Sequence, residues 1–269
     1  MNITSLDQID RRYRHIYLSP HLDDAVLSCG GSIGLQATCG LHVLVISAFA
    51  GLPPAERESS FFASHIHQQM GLPNNPRRVV EARRKEDKEA VSTLNADSFH
   101  LEFLDAIYRG DPSLYENNEA LFGEVQQPDF ALDEALATLL LKVSERAPMA
   151  VFYAPLGVGH HVDHQLCCSA ADRLAQRGAN LKYYEDFPYV ATPGALDKRL
   201  KELGGGQESE LVEVSGTLRL KEDALAAYQS QIPQLFSSPD RMQRAIEDYM
   251  GSLRHTYPGI MIERYWQAK

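Results

Sequence analysis

Two near-continuous apolar runs, Leu41 to Ala48 (LHVLVISA) and Met149 to Ala154 (MAVFYA), constrain this chain most. Strands that apolar are buried on both faces and need helices above and below them. The flanking sequence supplies those helices. A short strand at His15–Leu18 precedes a helix from about Asp24 to Thr38, closed at Cys39-Gly40. Beyond the first run, Glu81 to Leu94 reads as a charged helix that turns Ala90, Val91 and Leu94 toward a core, followed by a strand at Phe99–Leu104. Leu132, Leu136, Leu139, Leu140 and Val143 recur at helical spacing and lead into the second run. A helix from about Val162 to Gln176 and a strand around Leu181–Glu185 complete the rhythm. Such alternation predicts an α/β fold: a mostly parallel sheet with helices on both faces.

Gly51 to Pro76, with four prolines, and Asp105 to Asp129 interrupt the pattern and are too long for ordinary connections. Following strands, they read as functional loops that hold substrate choice, with His65-Ile66-His67 as loop residues. The tail from Leu203 to Lys269 opens on Gly204-Gly205-Gly206, carries a helix candidate at Lys221–Gln229, and contains the single tryptophan, Trp266. We expect it to be an extension packed on one domain spanning residues 1–269. Apolar residues make up 44% of the 269, enough for a sizeable core. A net charge of −10 gives no footprint for nucleic acid or anionic membrane, so neither is an expected partner. With no apolar run of transmembrane length and no apolar signal segment in residues 1–15, the expected compartment is the cytoplasm. Cys29, Cys39, Cys167 and Cys168 show no paired spacing and read as structural thiols. A homo-oligomer remains open.

Two constellations carry chemistry, each closing a strand, where open parallel sheets bind ligands. The first is Ser19-Pro20-His21-Leu22-Asp23-Asp24; the second is Gly157-Val158-Gly159-His160-His161-Val162-Asp163-His164. His21 and Asp24 can converge on one metal as the chain turns into a helix, with Asp23 held beside it, although an Asp at this position is often only a helix cap. His161 and His164, three apart at a helix start, turn both imidazoles to one side. Together His21, Asp24 and His164 offer two imidazoles and one carboxylate with a position left for water. That is the layout of catalytic zinc, with Fe(II) the rival for the same ligands. Gly30-Gly31-Ser32-Ile33-Gly34 lacks the spacing of a dinucleotide loop.

These residues resemble the PIG-L/LmbE-like deacetylases, whose signature is a strand followed by PHxDD and a later HxDH. Pro20-His21-Leu22-Asp23-Asp24 and His161-Val162-Asp163-His164 match it. So do Cys29-Gly30-Gly31, Arg83-Arg84-Lys85-Glu86, Phe103-Leu104-Asp105, Tyr183-Tyr184-Glu185 and Tyr228-Gln229-Ser230-Gln231, spread over most of the chain. Ala25 departs from the commoner acidic residue. The resemblance implies a Rossmann-like fold and zinc-dependent removal of an N-acetyl group from a small amino sugar or glycoconjugate. It implies His21, Asp24 and His164 as zinc ligands, Asp23 as general base, and His161 as the residue stabilising the tetrahedral intermediate, with Asp163 the carboxylate near it. Arg83, or its neighbour Arg84, would face the substrate, with Asp105 also expected to bind it. An imidazolium at His161, favoured by Asp163, would be the donor to the oxyanion. The rival readings are an amidase on a larger amide such as a thiol conjugate, a non-catalytic sugar- or nucleotide-binding module, and a metal phosphoesterase. Asp23 separates the enzymes from the binding module, which has no need of a second carboxylate beside the metal triad. The phosphoesterase is disfavoured by a ligand count for one metal and by the lack of a basic cluster.

Overall fold

A computed structural model describes residues 1–253 and 259–267. The first half of the chain forms β1 (Asn2–Ile3), β2 (Tyr13–Ser19), α1 (Asp24–Thr38), β3 (His42–Ser47), α2 (Phe61–Gln69), α3 (Pro76–Thr93), β4 (Asp97–His100) and α4 (Asn118–Leu121). There follow α5 (Phe130–Arg146), β5 (Val151–Pro155), α6 (Val162–Gln176), β6 (Asn180–Tyr184) and α7 (Ala195–Glu202). The tail adds β7 (Ser209–Glu213), α8 (Leu218–Leu225), α9 (Gln231–Phe236), α10 (Pro239–Ser252) and β8 (Ile262–Gln267).

Among the described residues, the eight strands form one sheet in the order β1-β4-β3-β2-β5-β6-β8-β7. The six from β1 to β6 run parallel, and β8 and β7 complete the far edge antiparallel. From β2 the chain steps outward to β3 and β4, then returns to β5 on the other flank and continues to β6. Right-handed crossovers in opposite directions place α1 and α3 on one face and α5 and α6 on the other. Accordingly α1 and α3 both pack on α8, while α5 packs on α6. The reversal leaves a crevice between the carboxyl ends of β2 and β5, where a sheet of this kind receives ligands. Both motifs open there. Beneath them Val43–Ile46 and Phe152 are buried on both faces, as the apolar runs require. Among the described residues no helix is long and apolar enough to cross a membrane.

The structure corrects the sequence reading in four places. The segment around His65 to His67 is helix α2 rather than loop, started by Ser60, whose hydroxyl accepts the Ala63 N–H. Helix α3 begins at Pro76, not Glu81: proline fits the first turn, and Asn75 caps it. Strand β4 spans 97–100 and pairs with Leu44–Ser47, so Phe103 and Leu104 lie beyond the sheet. The tail does more than pack on the domain, since β8 inserts beside β6 and carries β7; its first helix covers Leu218–Leu225 in place of Lys221–Gln229.

Buried Glu263 on β8 fixes that attachment. Its carboxylate accepts the Gly31 and Ser32 N–H groups of α1 and pairs with buried Lys221 at 2.8 Å. A Cβ on Gly31 would approach Val214 to 2.9 Å, and one on Gly30 would approach Lys221 Cγ to 2.8 Å. The Gly30–Gly34 run is therefore a packing surface for the tail.

Candidate active site

Ser19, the last residue of β2, holds the first motif: its hydroxyl accepts the Ala25 N–H and donates to the His21 carbonyl. That turn brings His21 Nδ1 to 3.1 Å from Asp24 Oδ2, which also accepts the His21 N–H. The second motif enters α6 through Gly157 and Gly159, both at positive φ, and arrives with His164 Nε2 3.3 Å from the same oxygen. One donor atom each from His21, Asp24 and His164 then lie within 4.8 Å of one another, all buried.

Two carboxylates brace this cluster from behind. Asp186 accepts from His164 Nδ1 at 2.6 Å and, with its other oxygen, from the Gly157 and Val158 N–H groups. Asp163 Oδ2 lies 2.9 Å from His21 Nε2 and accepts the Ala106 N–H. Carboxylates in these positions fix ring orientation and leave the opposite nitrogen for a metal. His164 Nε2 is buried with no hydrogen-bond partner. Burial works against charge on both rings. Asp105, Asp163 and Asp24 nevertheless raise the pKa of His21 well above the ordinary histidine value, and Asp24 and Asp186 raise that of His164 to about 9. Against its own burial, Asp24 is held well below the usual carboxylate range by His164 and His21. The pocket thus draws positive charge onto its donors, the demand a divalent cation meets. Two imidazoles and a carboxylate fit zinc.

His21, His161 and Asp163 also come within 4.8 Å, but there His21 Nε2 and Asp163 are already engaged with each other, and His161 has only Nε2 uncommitted. Asp163 Oδ1 pairs with Arg109, which reaches Asp129 at 2.8 Å and lies over the rings of Phe49 and Tyr115. His161 Nδ1 accepts the Asp163 N–H as the cap of α6. This corrects the expected imidazolium. Burial, then the charge on His21, pushes the His161 pKa well below the ordinary value, outweighing Asp163. The ring is neutral, with its proton on Nε2.

Asp23 stands beside the cluster, outside the donor set. Burial, reinforced by Asp24, raises its pKa to about 7 against the pull of Arg83 and His21. Arg83 Nη2 lies 3.7 Å from Asp23, and its Nη1 3.4 Å from Asp105. Arg84 points elsewhere, donating to the Ala50 carbonyl and pairing with Glu102, so Arg83 is the arginine of the site.

His21, Asp23, Asp24, Arg83, Asp105 and His161 line one cleft of about 290 Å³. Its other walls are Phe62, His65 and Gln69 of α2 and Phe122, from the two regions expected to hold substrate choice, together with Tyr189 and with Gln231 and Gln234 of α9, to which sequence reading gave no place in the site. Tyr189 packs edge-on against His164 and Phe122. Asp186 was also missed, although its place just past β6 is the same strand-end signal that marks the two motifs. His67, by contrast, is buried against the Tyr108 hydroxyl at 2.8 Å and stays out of the cleft.

Known proteins resemble this chain in sequence and in fold. The PIG-L family profile, described as GlcNAc-PI de-N-acetylase, matches residues 16–175. The 2'-N-acetylparomamine deacetylase of Streptomyces fradiae is 30% identical over 230 residues, covering 82% of this chain and 74% of its own length. The enzyme of the same name from Niallia circulans is 29% identical over 65% of this chain and 66% of its own. A zinc-inhibited form of teicoplanin deacetylase has a TM-score of 0.79 at 27% identity, over 94% of this chain and 97% of that one. The matched segment spans more than half of the sequence and contains both motifs at the crevice between β2 and β5, and on that ground the chain belongs to the PIG-L family, as an enzyme of its hydrolytic de-N-acetylase class.

Proposed function

We propose that this protein is a zinc-dependent N-deacetylase that hydrolyses the acetamide of an amino sugar within a small glycoconjugate. The observation that carries the reading is Asp23: a buried carboxylate beside a complete three-donor metal cluster, outside the donor set, with its pKa raised to about 7. A binding module has no use for such a group, whereas a general base poised near neutrality needs those properties. The S. fradiae relative, a deacetylase of an N-acetylated aminoglycoside by name, supports the substrate class. The cleft, near the lower end of the range for small-molecule sites, suits a sugar and its immediate attachment.

His21 through Nδ1, Asp24 and His164 through Nε2 are the residues that would hold the ion. Zinc there supplies Lewis acidity, lowering the pKa of water and polarising the acetyl carbonyl. Asp23 accepts the proton of the attacking water and returns it to the departing amine. His161 donates from Nε2 to the negative charge developing on the acetyl oxygen; a neutral imidazole serves, because its Nδ1 is committed to the Asp163 N–H. Arg83, tethered between Asp23 and Asp105, orients Asp23 and presents a cation to the sugar hydroxyls. Asp163 braces His21.

The test is metal analysis of protein purified without added metal, with acetate release measured on 2'-N-acetylparomamine, N-acetylglucosamine and N-acetylated sugar nucleotides. About one zinc per chain is expected, with acetate released from a member of the panel and activity lost on chelation. Full activity in metal-free protein would end the reading.

A further inference from the structure

The 105–129 region reads from sequence as a substrate loop, yet one of its charges is turned to a different task. Arg109 is buried and does not line the cleft. Its guanidinium is held from several directions. Nη1 pairs with Asp163 Oδ1 and donates to the Leu104 carbonyl at 3.1 Å. Nε lies 2.8 Å from Asp129 Oδ2, which also accepts the Tyr115 hydroxyl at 2.8 Å. The rings of Phe49 and Tyr115 lie 5.1 and 5.3 Å from its central carbon. Arg109, Tyr115 and Asp129 all belong to the same region, which thus encloses its own arginine.

Asp163 shows what that cation does. It is wholly buried and divides its oxygens. Oδ2 lies 2.9 Å from His21 Nε2 and accepts the Ala106 N–H at 3.0 Å, while Oδ1 has Arg109 as its counter-charge. The terminal torsion of an aspartate is soft, so one oxygen is aimed only as well as the other is held. With Oδ1 anchored on a guanidinium that cannot turn, Oδ2 stays on the His21 ring. That ring then keeps Nδ1 toward Asp24, where His164 Nε2 also arrives. A chain of contacts from Asp129 through Arg109 and Asp163 to His21 therefore ends on a metal donor.

We propose that Arg109 is a positioning residue for the metal site: by anchoring Asp163 it sets the orientation of His21, and with it the affinity for zinc. The proposal rests on the zinc reading of the cluster. It assigns part of the 105–129 region to the metal rather than to substrate choice. Lysine supplies the charge but not the arrangement, because an ammonium lacks the planar fork that reaches Asp163, Leu104 and Asp129 together.

The test measures zinc affinity by competition with a chromogenic chelator, alongside the melting temperature of the metal-free protein. Arg109→Lys should bind zinc about tenfold more weakly than wild type, the lower end of the loss that follows when an outer partner of a ligand is disturbed. In an Asp163→Asn background the same substitution should leave zinc affinity unchanged, because its route to His21 is already cut. A merely structural arginine would lower the melting temperature in both backgrounds and move zinc affinity in neither. Asp129→Asn serves if Arg109→Lys does not fold: it releases the other end of the guanidinium and should weaken zinc a few-fold, again only with Asp163 intact. Zinc held as tightly by the variants as by wild type overturns the proposal, and so does an equal loss in the two backgrounds. Wild type that binds no zinc removes the metal reading itself, and the proposal with it.

Discussion

The floor and the rim of the cleft are built on opposite principles. At the floor, Asp163 and Asp186 use their oxygens on ring nitrogens and backbone N–H groups, and Arg109 is clamped between two aspartates. At the rim, α2 presents exposed His65 and Gln69, and α9 contributes Gln231 and Gln234 to the wall. The floor can stabilise developing charge without reorganising, which is where enzymes gain most. The rim instead carries polar side chains that bond locally, Gln69 with His65 on α2 and Gln231 with Ser230 beside α9. Floor and rim thus draw on different segments, the rim reaching as far as α9 in the tail.

The largest expected effect would break the floor at a ligand. His164→Ala should lose zinc and activity together, read by metal content and acetate release. Its neighbour on the motif sharpens the contrast: His161→Ala should retain zinc and substrate affinity while kcat falls by about 10² to 10³, the usual result of removing one oxyanion donor. Equal zinc loss in both variants would make His161 a ligand.

Asp23→Asn comes next, with turnover reduced by about two orders of magnitude and metal retained. The same variant has a signature in stability. Because burial raises the folded-state pKa of Asp23 from the ordinary aspartate value of 3.8 to about 7, the folded chain holds its proton more tightly than the unfolded chain. Stability is therefore lost as pH rises from near 4 to near 7, and the loss is constant above that. In chelated protein Asp23→Asn should melt above wild type at pH 8 and converge with it toward pH 4. A variant less stable than wild type at pH 8 would contradict the buried-charge account.

Asp186→Asn tests the brace rather than the ligand. It keeps the shape but weakens the acceptor behind His164, and zinc affinity should drop about 10- to 100-fold. Smallest is Ser230→Ala, which removes one bond to Glu86 and loosens the rim wall. KM should rise a few-fold with kcat and zinc content unchanged; a loss of zinc would show that rim and floor are not separable.

The floor was legible in the sequence because its donors sit at strand ends in short motifs, and the strand–helix rhythm fixes where strand ends go. Helix α1 over 24–38 and α6 over 162–176 follow directly from that rhythm. The rim was legible only as regions: 51–76 and 105–129 were expected to hold substrate choice, but not which residues, and α9 was not anticipated. Phe62 and Gln69 on one side and Gln234 on the other share no local pattern, and it takes the packing of α8 on α3 with the Ser230–Glu86 and Tyr228–Asp87 bonds to bring the tail to the cleft. The charge state of His161 was misread for a related reason: Asp163 is its neighbour in sequence, but the Asp163 carboxylate is engaged by His21 and by Ala106 and Arg109, from two other parts of the chain.

The placement of β8 has a consequence for biosynthesis. During translation β7 emerges before β8, yet β8 lies between β6 and β7 in the finished sheet. The parallel strands can assemble while the ribosome is still at work, but β7 has no partner until residues 262–267 emerge. Over the same interval Lys221 lacks Glu263, and a buried ammonium stripped of its carboxylate is costly, by about 3 to 5 kcal/mol. A nascent chain stalled before β8 therefore has a reason to keep α8 undocked, and the Tyr228 and Ser230 anchors that follow α8 remain unset with it. The groups of the metal cluster can gather early; the α9 wall of the cleft is set last.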